Sequence, residues 1–363
     1  MALIDGADAA QWKTWVEGAG WKVIAPAPPA ANTNIDARVL ALAAAVREAA
    51  AHGGVDASRV YMVGRGEEAV SVFYAISRLP DLFAAGAALG GSPQAALETG
   101  RIFAVNFTNA PVFWASSGAG DDALAGRLKS AGMNLEWRTL EGLTNAAVLQ
   151  WLAAHTRDPY PAEADCETNS PSFASCYWLQ PVKFDVGERN DVLPSTRVVT
   201  TLSAALDLGG FGYKLDDPGP GIQVSYLPAR YGGPLKMGDR IVEIEGKPVA
   251  NAVQYRELMS RYKEEKPVMI MVQRGNKRER METHVVMPLI DAAPTARVQG
   301  RYEIDDKLVL IISRTVTEMR VMIPEQWAGS GLMWNGLAME KIEKPGCILL
   351  TIDKELLHAA ECN

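Results

Sequence analysis

The sequence contains few of the residues from which catalytic and metal sites are most often built. Its 363 residues include only four histidines and four cysteines. No two cysteines have the short Cys-x-x-Cys spacing that is typical of zinc sites. We therefore expect neither a metal ion nor a cofactor.

Long apolar runs and an excess of positive charge are also missing. No stretch approaches the roughly 18 consecutive apolar residues of a membrane helix, so no membrane span is predicted. The first residues, MALIDGADAAQWKTW, lack a basic region followed by an apolar one, so no secretory signal is visible. The net charge of -7 argues against nucleic acid as a partner, because binding to phosphates requires a basic face.

The pattern of residue types changes along the chain, and these changes predict several domains. Residues 1–157 alternate strand and helix patterns, which indicates an α/β fold with a parallel sheet covered on both faces. Residues 158–195 are rich in Pro, Ser, Asp and Asn, and are predicted to form an elaborated connection. Residues 196–289 have the pattern of a β-rich α+β domain with one helix, and residues 296–363 that of a small all-β segment.

The four cysteines fall into two local pairs, Cys166 with Cys176 and Cys347 with Cys362. Close pairs in an even number are compatible with disulfides, which would place the protein outside the cytoplasm. Reduced, buried thiols in a cytosolic protein are an equally good interpretation of the same pattern. The localisation therefore stays open at the level of sequence.

The stretch SRVYMVGRGEEAV, Ser58–Val70, has the outline of a strand, a glycine-rich turn and a helix. Together with AGWKVIAPAP, APVFWASSGAGDD and LEWRTLEGLTNAAVLQWL, it resembles the second half of an α/β-hydrolase of the esterase and polyester-depolymerase-like branch. The resemblance covers residues 1–155. It implies a parallel sheet in which one sharp strand-to-helix turn carries a nucleophilic serine.

The residues at the catalytic positions of that family are not those of a hydrolase. The nucleophile of the G-x-S-x-G pattern matches Gly66, the acid matches Asp121, and the histidine matches Thr144 or Asn145. His155 lies at the far end of the following helix, about 15 Å away, which is too far for a general base. Gly66, Asp121 and Asn145 are therefore interpreted as vestigial positions, and no catalytic residue is predicted.

Other parts of a hydrolase site are missing as well. Ser92 and Ser116 follow predicted strands at the edge of the sheet where ligands bind, but a serine without a base is not activated. The residues that precede GWKVIAPAP contain no HGG-like motif for an oxyanion hole. Without these groups, a serine-hydrolase mechanism has no chemical basis in this sequence.

The run GGPLKMGDRIVEIEGKPV, Gly232–Val249, carries a second resemblance, to PDZ domains. The resemblance implies that a peptide strand adds to an exposed sheet edge and that a terminal carboxylate is held by a glycine-rich loop. The residues that it implicates are those of the loop and the following strand, together with two positions on the helix: Leu208, Gly209, Gly210, Phe211, Gly212, Tyr213, Ala252 and Arg256. The core-facing stripe of the same helix is predicted as Val253, Tyr255, Leu258 and Met259.

These patterns favour a non-catalytic binding or scaffolding protein whose partner is a protein or a peptide C-terminus. One alternative is an esterase whose site is completed by a partner chain or by a missing N-terminal part. Another is a structural subunit of a larger homo- or hetero-oligomer, in which the peptide groove is filled from within its own chain.

Overall fold

The computed structural model describes the chain except for short gaps. The described residues are 1–2, 9–26, 34–118, 120–188, 190, 192–198, 204–213, 217–228, 231–262, 264–287, 293–339, 341–354 and 356–362. They form two compact units, the first made of Met1–Val198 with Asp291–Asn363, and the second of Val199–Ile290. None of the helices in these ranges is both long and apolar enough to cross a membrane.

A parallel sheet with helices around it forms the first part of unit 1, as the alternating pattern predicts. Its strands lie in the order β1 (Tyr61–Arg65), β2 (Ala85–Leu89), β3 (Val112–Ser116) and β4 (Leu135–Thr139). The helices of this region are α1 (Ala9–Val16), α2 (Ile35–Ala51), α3 (Ala69–Arg78), α4 (Gln94–Glu98), α5 (Asp121–Ser130) and α6 (Asn145–Ala153).

Small residues in β2 let helix α3 pack closely on the sheet. β2 is buried along its whole length, and a Cβ atom added at Gly86 would meet the side chains of Val72 and Ile76 on α3. A larger residue at this position would force the helix away from the strand. The Ala-Gly-Ala-Ala-Leu sequence of β2 is thus a packing requirement of this layer.

The outer side of β1 is paired with residues from the start of the chain. Ala2 donates its N–H to the carbonyl of Tyr61 at 2.8 Å and accepts from the N–H of Val63 at 3.0 Å. Within the stretch GWKVIAPAP, residues 20–28, whose pattern is that of a buried strand, the described part forms only an isolated bridge at Ile24, and Pro28 lies outside the described residues. Prolines in this segment have no N–H with which to continue a ladder.

Two β-sheets form the rest of unit 1. One has the strand order β18-β17-β15-β14-β5 and the other β20-β19-β16-β6. Their bounds are β5 (Glu163–Thr168), β6 (Leu179–Phe184), β14 (Ala296–Glu303), β15 (Leu308–Arg314), β16 (Val316–Ile323), β17 (Gly331–Trp334), β18 (Leu337–Met339), β19 (Gly346–Asp353) and β20 (Leu356–Glu361). Trp178, Trp327 and Trp334 are buried in the core that these strands share.

Residues 158–195, predicted from composition as a connection, supply two of these strands. β5 pairs with β14, so that Cys166 lies opposite Val298, and β6 pairs with β16. Residues that precede unit 2 in the sequence therefore pair with residues that follow it, within the same two sheets.

The four cysteines form two disulfides, Cys166–Cys176 and Cys347–Cys362. The first joins β5 to the residues that precede β6. The second joins β19 to the residue that follows β20.

Unit 2 is an antiparallel sheet with one described helix. The strand order is β7-β13-β12-β10-β9-β8, and β11 pairs with β10. The bounds are β7 (Ala205–Leu206), β8 (Gly212–Tyr213), β9 (Ile222–Tyr226), β10 (Arg240–Ile244), β11 (Lys247–Pro248), α7 (Ala252–Ser260), β12 (Lys266–Arg274) and β13 (Lys277–Val286).

The buried face of α7 differs by one position from the predicted stripe. Tyr255, Leu258 and Met259 are in the core, but Val253 is 59% exposed and Ala252 takes its place with 1% exposure. The prediction of Val253 as a core residue is therefore wrong. In a short helix with few strongly apolar residues, the sequence only weakly indicates which face is buried.

Candidate functional site

A glycine-rich loop precedes the short strand β8 in unit 2. Gly209 and Gly210 both have a φ of 78°, in the left-handed region that glycine adopts without strain. Leu208 is buried and anchors the start of the loop, whereas Gly209 and Gly210 are exposed. The loop therefore presents its backbone, with no side chain at its centre, to the surroundings.

The hydroxyl of Tyr231 holds this loop in place. It donates to the carbonyl of Leu208 at 2.6 Å and accepts from the N–H of Leu235 at 3.0 Å. The ring also lies against the loop, because a Cβ atom added at Gly209 would be 3.2 Å from Cε2 of Tyr231. Tyr231 was not among the residues predicted for the site.

An ion pair between the partly exposed Arg274 and the buried Asp239 holds the segment that follows Tyr231. Arg274 donates through Nε to Oδ1 of Asp239 at 2.9 Å and through Nη2 to Oδ2 at 2.7 Å. Burial alone would raise the pKa of Asp239, but hydrogen bonds from Arg274 and from the N–H of Lys236 lower it below its ordinary value. Arg274 also donates to the carbonyl of Pro234 at 3.0 Å. It therefore holds the segment 234–239 at both of its ends.

The loop carries three consecutive backbone donors that are available to a ligand. Within the described residues, the N–H groups of Gly209, Gly210 and Phe211 have no hydrogen-bond acceptor. The N–H of Leu208, by contrast, donates to the carbonyl of Leu206 at 3.0 Å. Successive N–H groups on a backbone of this kind form a concave site that suits an anion such as a carboxylate.

β8 lies at one end of the sheet and offers a backbone edge beside the loop. Its partner is β9, with Gly212 opposite Tyr226 and Tyr213 opposite Val224. No strand within the described ranges pairs with its other side. The two residues that follow Tyr213, Lys214 and Leu215, lie outside the described residues.

An aromatic contact links β8 to α7. The rings of Tyr213 and Tyr255 meet edge to face, with centroids 5.3 Å apart. Tyr255 is buried, and this burial raises the pKa of its hydroxyl. Of the two helix positions predicted for the site, Arg256 is exposed, whereas Ala252 is part of the core.

The strand-to-helix turn of unit 1 has a glycine at its tip. Gly66 follows β1 with a φ of 54°, and a Cβ atom added there would meet nothing within 4 Å. The turn around it is tight, because a Cβ atom at Gly64 would lie 2.8 Å from the carbonyl carbon of Glu68. The space at position 66 is therefore open, but the positive φ there is a backbone conformation that a residue with a side chain rarely adopts.

The other predicted vestigial positions have structural contacts. Oδ2 of Asp121 accepts from the N–H of Gly118 at 3.1 Å, just before α5. Asn145 is the first residue of α6, and Thr144 caps that helix by accepting from the N–H of Ala147 at 3.2 Å.

His155 lies near the opposite end of the sheet from Gly66. Its carbonyl accepts from the hydroxyl of Tyr61 at 3.0 Å, and Tyr61 is the first residue of β1. Gly66 follows Tyr61 by five positions along extended chain, which corresponds to about 16 Å. Ser116 is buried, and its Oγ accepts from the indole of Trp137 at 3.0 Å.

Comparison with protein-family models identifies a PDZ domain at residues 212–285. The match includes the sheet from β8 onward and α7, and it begins directly after the glycine-rich loop. No curated protein matches the chain. A PDZ domain is a protein-interaction module, and its presence in unit 2 confirms the second of the two resemblances.

Proposed function

We propose, from the PDZ domain at residues 212–285, that this protein is a non-catalytic binding protein that takes the free C-terminus of a partner polypeptide. The observation that carries the proposal is the loop beside β8. Three N–H groups, those of Gly209, Gly210 and Phe211, have no acceptor among the described residues and lie next to an unpaired strand edge.

The binding mode follows from this arrangement. The partner's last residues add to the free side of β8, and the terminal carboxylate accepts from the loop N–H groups. The side chains of Phe211 and Tyr213 line the start of this edge, and Tyr255 supports Tyr213 from the helix. Arg256 lies on the exposed face of α7, where it can contact a partner's side chain.

Unit 1 is proposed as a hydrolase-like scaffold without hydrolase chemistry. Gly66 supplies no nucleophile, and Thr144 and Asn145 supply no base at the position where the family has its histidine. Ser116 lies at the carboxyl edge of the sheet, but its hydroxyl is buried and bound to Trp137.

The first prediction is that the protein does not accelerate ester hydrolysis. With p-nitrophenyl acetate, the full chain should release p-nitrophenol at the rate of a matched protein blank. The variant Gly66→Ser, when folded, should give the same rate, because a serine without a base is not activated.

Hydrolysis above the blank that is lost in Ser116→Ala or Asp121→Asn would contradict the non-catalytic proposal. Circular dichroism of each variant establishes that the fold is retained. Hydrolysis that survives both substitutions would be traced with a fluorophosphonate probe, and labelling of any serine in unit 1 would likewise count against the proposal.

The second prediction concerns the ligand. Selection of the full chain against a library of peptides displayed with free C-termini should enrich one family of C-terminal sequences. Affinity in the micromolar range is expected, since the interface is a single short strand. Absence of enrichment would contradict the proposal and favour a groove filled from within the chain.

A further inference from the structure

A cleft of about 670 Å³ opens in unit 1 near the amino-terminal end of β1, away from the Gly66 turn. Helix α2 supplies one wall through Val46 and Arg47, and β6 and β16 supply another through Val182 and Arg320. Its volume lies within the range of about 300–1,000 Å³ that is usual for small-molecule sites. The PDZ domain is in the other unit, so this cleft is not part of the proposed peptide site.

Three arginines line the cleft without acidic partners. Within the described residues, no carboxylate oxygen lies within 4.0 Å of the guanidinium groups of Arg47, Arg157 or Arg320. Nε of Arg157 donates to the carbonyl of Ala57 at 3.3 Å, which orients this side chain along the wall. By contrast, Arg297 in the same unit pairs with Asp165 at 2.6 Å.

One acidic residue lines the cleft, Asp81, and among the described residues only one of its two carboxylate oxygens has a hydrogen-bond partner. Oδ2 of Asp81 accepts from the hydroxyl of Ser175. Three positive charges therefore face one negative charge, in a protein whose net charge is -7. A concave surface of one sign focuses the electrostatic field and raises the local concentration of oppositely charged ligands.

Part of the remaining lining is apolar, and Ser172, Ser175 and Gln180 supply uncharged polar groups. Val46, Val60, Leu82 and Val182 offer side chains against which a short carbon skeleton can pack. Addition of a peptide strand to β6 is disfavoured, because Pro181 in the middle of this strand has no N–H to donate. The cleft thus suits a compact ligand that is recognised by its charged groups.

We propose that this cleft binds a small organic anion that carries two negative charges on a short carbon skeleton. Guanidinium groups recognise the oxygens of carboxylates and phosphates through paired N–H donors. Dicarboxylates and phosphate monoesters share this chemistry, and both fit the volume. The inference does not depend on the PDZ domain or on its ligand.

Calorimetric titration of the full chain at low ionic strength tests the proposal with two probes, glutarate and glycerol 3-phosphate. Saturable binding of either probe at one site is expected. Glutarate alone would identify a dicarboxylate, and glycerol 3-phosphate alone a phosphate ester. Binding of neither probe would overturn the proposal.

Two double variants distinguish binding in the cleft from attraction of the probe to positive charge elsewhere on the protein. Arg47→Gln combined with Arg320→Gln removes two exposed charges from the cleft and should weaken binding of the probe at least tenfold. Arg278→Gln combined with Arg280→Gln removes two exposed charges from the β12–β13 hairpin and should leave binding unchanged. Equal losses in both double variants, or none in the first, would overturn the proposal.

Discussion

Replacement of Glu167 by alanine should lower the free energy of unfolding of unit 1 by about 3–5 kcal/mol, the usual cost of removing one partner from a buried ion pair. The side chain of Glu167 is 0% exposed and lies 3.1 Å from Nη2 of Arg314. Its carboxylate also accepts from Ser195 Oγ, Thr196 N and Oγ1, and Thr295 Oγ1. Alanine would leave these donors and the Arg314 charge without their acceptor.

Tryptophan fluorescence during urea unfolding measures this effect selectively. All nine tryptophans of the chain lie in unit 1, so the signal reports on that unit. Glu163→Ala is the matched control, because Glu163 is on the same strand but exposed, and it should change stability by less than about 0.5 kcal/mol. Equal losses in the two variants would contradict the stabilising role of the buried Glu167 carboxylate.

Replacement of Tyr231 by phenylalanine should weaken the binding of a carboxylate peptide about tenfold, which corresponds to about 1.4 kcal/mol. The substitution keeps the ring but removes the hydroxyl that bonds to Leu208 and Leu235. Two backbone groups then lose their partner, and each such loss costs about 1–3 kcal/mol when the group is buried. The loop would sample other conformations and would present its three N–H groups together less often.

Fluorescence anisotropy with a labelled library peptide measures the affinity, and hydrogen exchange of residues 204–213 measures the opening of the loop. Tyr226→Phe is the matched control, because it removes the same hydroxyl group from a tyrosine that is 58% exposed. An unchanged affinity in Tyr231→Phe, together with faster exchange in the loop, would separate loop order from ligand binding and refute this role for Tyr231.

The PDZ domain was predictable because its signals are local. In GGPLKMGDRIVEIEGKPV, glycine turns bound a strand whose Ile241 and Ile244 are buried, and the structure has β10 and β11 there. The site was only partly predictable. The loop residues are adjacent in sequence, but Tyr231 lies 23 positions from Leu208, and no periodic pattern marks such a partner.

The sheets around Glu167 were not predictable from sequence either, because their contacts join residues that are even farther apart along the chain. Arg297 and Asp165 form their ion pair across 132 positions, with the whole of unit 2 between them in sequence. Strand pairing of this kind depends on burial that only the folded chain defines. Composition therefore indicated a connection where the chain forms β5 and β6.

The most direct test of the proposed function compares one library-selected peptide with a free C-terminus and the same peptide with a C-terminal amide. Titration of each against the full chain isolates the contribution of the carboxylate, since every other contact is shared. We predict that the amide binds at least tenfold more weakly, because the N–H groups of Gly209, Gly210 and Phe211 then face a neutral group. Equal affinity of the two peptides would contradict the account.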